Sequence, residues 1–157
     1  MTKMFTFLIA AAIIFFSATC YAATKPVYDL NEQIFVEDFN AMAKAMSIDV
    51  IDTKIKNLPS GAHELSGKNF KLNLTLNQSG SIENILLTST DKKRLADGFI
   101  VTLATIGLSA DEFNKFFADS KKNILSVWCN FSKRQIIAER SVEGNTIKIF
   151  IKAETKQ

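Results

Sequence analysis

Along this chain, stretches with apolar residues at every third or fourth position give way to stretches with one at every second, and the change of period predicts the elements. Asp29-Leu30-Asn31-Glu32 has capping-box spacing, and Phe35, Val36, Phe39, Met42, Ala43 and Met46 follow at helical intervals. An amphipathic helix ending near Ser47 is expected. Ile51, Thr53 and Ile55 then alternate with Asp52, Lys54 and Lys56 until Leu58-Pro59, predicting a first strand over residues 49–57. A loop containing Gly61, His63 and Gly67 follows. Phe70, Leu72, Leu74 and Leu76 alternate with Lys71, Asn73, Thr75 and Asn77, the pattern of a strand buried on one face. Asn77-Gln78-Ser79-Gly80 supplies a turn, and residues 82–89 form the antiparallel partner. Ile82 is out of phase with Ile85 and Leu87, which predicts a bulge.

From Thr90 the period is helical again, through Leu95, Phe99, Ile100, Leu103, Ala104 and Ile106, with Gly107 as the terminator. Ser109-Ala110-Asp111-Glu112 is a second capping box. It opens a predicted helix over residues 110–130, whose stripe of Phe113, Phe116, Phe117, Ile124, Val127 and Trp128 faces away from Lys115, Lys121, Lys122 and Ser126. A hairpin closes the chain, residues 135–142 and 146–153 about a turn at 143–145. The expected fold is α+β: an antiparallel sheet of about five strands with helices packed on one face, in the order α-β-β-β-α-α-β-β. The other face carries Lys, Thr and Asn.

Lys3, the twelve apolar residues 5–16 and the small-residue tail 17–22 read as a secretory signal peptide, too short to span a bilayer as a permanent helix. Cleavage is expected between Ala22 and Ala23, leaving residues 23–157 as one α+β domain that opens on a short flexible lead, 23–28. A lipoprotein reading of Cys20 fits less well, because Ser17 and Thr19 stand where such signals carry Leu and a small residue. The short signal reads as bacterial, so the destination is the periplasm or the medium, and the sequons Asn73-Leu74-Thr75 and Asn130-Phe131-Ser132 carry no weight.

Loss of the signal leaves Cys129 as the sole cysteine, which excludes an internal disulfide and admits one only across a homodimer. The near balance of charge, net +3 for the whole chain, gives no field suited to nucleic acid. No cofactor motif is present.

Catalytic schemes fare poorly. His63-Glu64 begins like a zinc-protease motif, but Gly67 stands where the second histidine is required. As the single histidine, His63 would also have to serve every Ser-His-Asp arrangement, and no nucleophile elbow accompanies it. Asp49 and Asp52 belong to a strand and point apart, Asp111 and Glu112 are explained by a helix start, and Cys129 beside Trp128 reads as a buried small hydrophobe. One local rule is broken: Lys92, Lys93 and Arg94 occupy a helix's first turn, where cations are disfavoured by about 0.3–1 kcal/mol each. With the helix-start amides they form a candidate contact for an anion, a lipid head group or a partner's acidic patch.

The reading placed first is an exported, non-enzymatic protein-binding domain of inhibitor, immunity or accessory type, partnered by another protein. The second is a carrier of a small apolar or lipid ligand between helices and sheet, with Phe99, Leu103, Phe113, Phe117 and Trp128 as the pocket. A hydrolase using His63 comes third.

Overall fold

A computed structural model describes residues 24–118 and 122–155 of the protein. The predicted signal peptide, its cleavage point and Cys20 lie outside these residues. Among them the chain forms β1 (Thr24–Lys25), α1 (Glu32–Ala45), β2 (Lys56–Asn57), β3 (His63–Gly67), β4 (Phe70–Leu76) and β5 (Ile82–Ser89). There follow α2 (Lys92–Thr105), α3 (Ala110–Phe117), β6 (Ile124–Cys129), β7 (Arg134–Glu143) and β8 (Thr146–Glu154). The fold is α+β.

Seven strands make a continuous antiparallel sheet in the order β2-β3-β4-β5-β8-β7-β6. Two meanders, β3-β4-β5 and β6-β7-β8, meet where β5 pairs with β8, and the helical pair α2-α3 carries the chain from the centre of the sheet to its far edge. Short β1 lies off this path against the end of β8, with Thr24 opposite Glu154 and Lys25 opposite Ala153. Tyr28 then bridges to Ile82.

All three helices cover one face of the sheet. That face is a continuous apolar floor of Phe70, Leu72 and Leu74 on β4, Ile85 and Leu87 on β5, Ile147, Ile149 and Ile151 on β8, and Ile136 and Ala138 on β7, all buried. Phe35, Val36, Phe39 and Ala43 of α1 and Leu95, Val101 and Leu103 of α2 close over it. The opposite face bears Lys71, Asn73 and Thr75 as expected, but also the half-buried Leu86, Ile137, Phe150 and Trp128. The expected bulge is present: Thr75 pairs with Asn84 and Leu76 with Ile82, so Glu83 is the extra residue.

The structure corrects several expectations, beginning with the strand count of about five. The predicted helix over 110–130 ends at Phe117, and residues 124–129 are edge strand β6. Ile124, Val127 and Trp128 fit a helical stripe by coincidence of spacing, whereas the same segment also alternates, with Leu125, Val127 and Cys129 turned inward against the helices. Lys133 therefore lies in the β6-β7 connection, and Arg134 opens β7.

The expected strand over 49–57 shrinks to Lys56–Asn57 because Asn40 captures the backbone of Ile51. Its amide accepts from the Ile51 N–H at 2.8 Å and donates to the Ile51 carbonyl at 3.1 Å, so a side chain of α1 substitutes for a sheet neighbour. The Gly61–Gly67 region, expected as a loop, holds β3. The helix start near residue 29 moves to N-cap Asn31, whose side chain accepts from the Ile34 amide at 3.1 Å.

Asp29 is used elsewhere. Of the expected lead, 23–28, the described residues 24–28 are fastened: Val27 is fully buried, and the Arg134 guanidinium, itself buried, donates to the Pro26 carbonyl and to the Asp29 carboxylate.

Candidate functional site

The first turns of α2 carry Lys92, Leu95, Ala96 and Phe99 at helical spacing, which places them along one stripe of the helix. That stripe faces a cleft of about 250 Å³. Its floor is Leu125 of β6, Ala138 of β7 and Ile147 and Ile149 of β8. Small Ala138, opposite Ile151 on one side and Leu125 on the other, leaves the depth that a larger side chain would fill.

One part of the lining is aromatic. Phe117 contributes to the lining, and its ring meets Phe99 edge-on with centroids 5.9 Å apart and Phe113 stacked at 5.8 Å. Phe116, behind them and buried, packs at 6.0 Å on Phe99. The capping box at Ser109 holds this aromatic helix in place. The Ser109 side chain accepts from the Glu112 amide, while the buried Glu112 carboxylate accepts from the Ser109 amide at 2.8 Å and the Asn130 amide at 2.7 Å. Burial pushes that carboxyl up, but these amides outweigh it and hold it below the ordinary carboxylate range.

The polar residues among the described lining are Lys92, Lys122, Asn123 and Arg140. A second hollow of about 490 Å³ lies at the end of the sheet around Ser66, Lys71, Thr88 and Thr146, and it is more open and more polar.

The residues singled out in the sequence are partly brought together. Phe99 and Phe117 line the cleft; Phe113 stacks behind Phe117; Leu103 is wholly buried in the core. Trp128 stands on the opposite face of the sheet, since β6 alternates and Val127 and Cys129 take the inner face. Of the basic cluster, Lys92 alone reaches the cleft. Arg94 turns to Asp49 and Asp97, and Lys93 is exposed. The helix-start amides of Lys93 and Arg94 are already taken by N-cap Asp91, at 2.9 and 3.2 Å.

His63 is half-buried on β3, its Nδ1 3.2 Å from Glu32 Oε1, where it ties the strand to the start of α1. Asp52 accepts from the Lys54 amide and Asp49 from Arg94, so the two aspartates share no site. Cys129 is buried, with a free thiol 3.5 Å from the Gly107 carbonyl. Among the described residues no three His, Cys, Asp or Glu side chains gather as metal ligands, and no helix is long and apolar enough to cross a membrane. Lys121 lies outside the described residues.

The floor residues Leu125, Ala138, Ile147 and Ile149 and the rim residue Arg140 were not singled out as a site. Their alternation marks them as inward-facing strand positions, but nothing in it distinguishes a cleft from a filled core. Comparison with protein-family models, curated proteins and solved structures finds no match.

Proposed function

We propose that this chain is an exported, non-enzymatic binding domain whose ligand is a small, largely apolar molecule held between α2, the end of α3 and the β6-β7-β8 meander. One observation carries the reading: the described lining of the cleft is mostly apolar, with Lys92, Lys122, Asn123 and Arg140 as its few polar residues, the composition of small-ligand sites. Its 250 Å³ is a little under the usual span of about 300–1,000 Å³. The occupant is accordingly small.

The test uses 1-octanol and amide chemical shifts. Octanol should shift resonances of residues 92–99, 125, 138 and 147–149, and Ala138→Leu, which fills the floor, should abolish the response while the rest of the spectrum stays native. Unshifted cleft residues, or an equal response in the filled variant, would sink the reading.

A protein partner, the other reading, is favoured by a different observation. Leu86, Ile137, Phe150 and Trp128 stand half-buried on the helix-free face, on four neighbouring strands, and Leu86 is directly beside Phe150. A partner recovered from periplasmic extract with the native chain should be lost with Phe150→Asp. Recovery that is indifferent to this substitution would remove the sheet face from consideration.

A further inference from the structure

We infer that β6 is the contact edge of a homodimer, in which the β6 strands of two copies pair antiparallel about a two-fold axis and join their sheets into one. The two ends of the sheet are built differently. β2, at one end, is two residues long, exposes Lys56 and runs on to Leu58-Pro59. Shortness, a lysine and a nearby proline are features that keep a sheet edge from pairing with another chain. β6, at the other end, has six residues, Ile124–Cys129, without a charge, a proline or a shift of register against β7. Among the described residues no strand lies beyond it. Its first half is open to solvent: Ile124 is 59% exposed, and Ser126 is exposed as well.

The hydrogen bonds already made fix which backbone groups remain for a partner. The Arg140 N–H donates to the Asn123 carbonyl at 2.7 Å, one step beyond the Ile124-Glu139 pair. Bonded and non-bonded positions alternate along an antiparallel ladder. Leu125, Val127 and Cys129 therefore direct their N–H and C=O groups to β7, while those of Ile124, Ser126 and Trp128 point out of the sheet.

A partner strand must set its own outward-pointing residues opposite these three. With the axis at Ser126 every one of them is matched: Ser126 faces its own copy, and Ile124 faces Trp128 of the second copy. This register forms three hydrogen-bonded pairs, about six bonds, and a slip of two residues either way loses one pair. It places a β-branched side chain beside an aromatic one on the same face, a favourable cross-strand combination, and opposes no like charges. The edge is thus complementary to itself, which selects a second copy over a foreign strand. The area of one strand edge is small for a permanent dimer, so association is reversible.

Sedimentation velocity and amide exchange of the folded protein across the micromolar range test the inference. The sedimentation coefficient should rise with concentration from monomer towards dimer. In step with it, the amides of Ile124, Ser126 and Trp128 should gain about tenfold or more in protection, while those of β2 do not change. Ser126→Lys sets two ammonium groups face to face at the axis, and Ser126→Pro removes the outward N–H without touching the ladder to β7. Each should weaken association about tenfold or more and leave the far-ultraviolet circular dichroism native.

A monomer at every concentration overturns the dimer. A dimer that both variants leave intact uses another surface and overturns β6 as the contact. Protection at 124, 126 and 128 that persists on dilution means that the chain itself covers this edge, and overturns the inference in the native protein without recourse to a variant.

Discussion

Phe70 illustrates how single residues set the packing of this molecule. Its ring lies over Gly67 at the end of β3 and against Gly98 in the middle of α2, and reaches the Phe39 ring of α1 at 6.4 Å. A Cβ at Gly67 would fall 2.2 Å from the ring, so the ring or the hairpin would have to move; one at Gly98 would fall 2.9 Å away. Gly67→Ala should destabilise by about 1–3 kcal/mol as overpacking. Gly98→Ala meets a milder clash and gains about 1 kcal/mol of helix propensity, so urea midpoints should separate the two variants clearly. At Glu112, the depressed carboxyl contributes stability that is full above the unfolded-state pKa and is lost as pH falls through the folded one. Glu112→Gln should flatten the acid limb of a melting-temperature profile, and at neutral pH should cost about 1–3 kcal/mol through weakened bonds to the buried Ser109 and Asn130 amides. A profile parallel to that of the native protein would contradict this.

At the scale of elements, the Asn40 clasp decides the fate of residues 49–55. The alternation of Ile51, Thr53 and Ile55 is real, yet only Ile51 is fully buried, because the segment crosses beneath α1 and meets the sheet at a single point, the Asp52 N–H to Ser66 carbonyl bond of 2.7 Å. Asn40→Ala should leave the helix content unchanged and speed amide exchange at Ile51 and Asp52 by at least tenfold; unchanged exchange would show that sheet contacts hold this segment. The hairpins β4-β5 and β7-β8 were legible because their alternation is long and their turns contain Gly80 and Gly144, both at positive φ. Strand β6 was not, since six residues with apolar groups at 124, 125, 127 and 128 satisfy both periods. What distinguishes it is pairing with β7, a contact between segments that local spacing does not encode. For the same reason the basic triplet was visible as a rule broken, while its division among Asp49, solvent and the cleft depends on how α2 sits on the sheet.

For the molecule as a whole, the sheet divides the labour of its two faces. One carries the core and the cleft; the other, among the described residues, is an antiparallel surface without a helix. Cys129 belongs wholly to the first, so a thiol reagent should leave it unmodified in the native protein and label it only on unfolding, with no disulfide-linked dimer under oxidising conditions. Rapid native-state labelling would mean that β6 opens from the sheet. The class of fold was readable because long periodic segments dominate it. The cleft was half readable: Phe99 and Phe117 came from a helical stripe, but its floor is assembled from three strands, and its depth depends on the small size of Ala138.

The pairing of β1 with the end of β8 has a consequence for timing. Residues 24 and 25 leave the ribosome, or a translocation pore, long before residues 153 and 154, yet each pair ends as direct neighbours. The earliest segment must wait for the latest, with Arg134 arriving between them to grip Pro26 and Asp29. A contact spanning nearly the full length is slow to form, since the whole intervening loop must close first. The β1-β8 pairing therefore forms after the β4-β5 and β7-β8 hairpins, and only once residues 153 and 154 are free to fold.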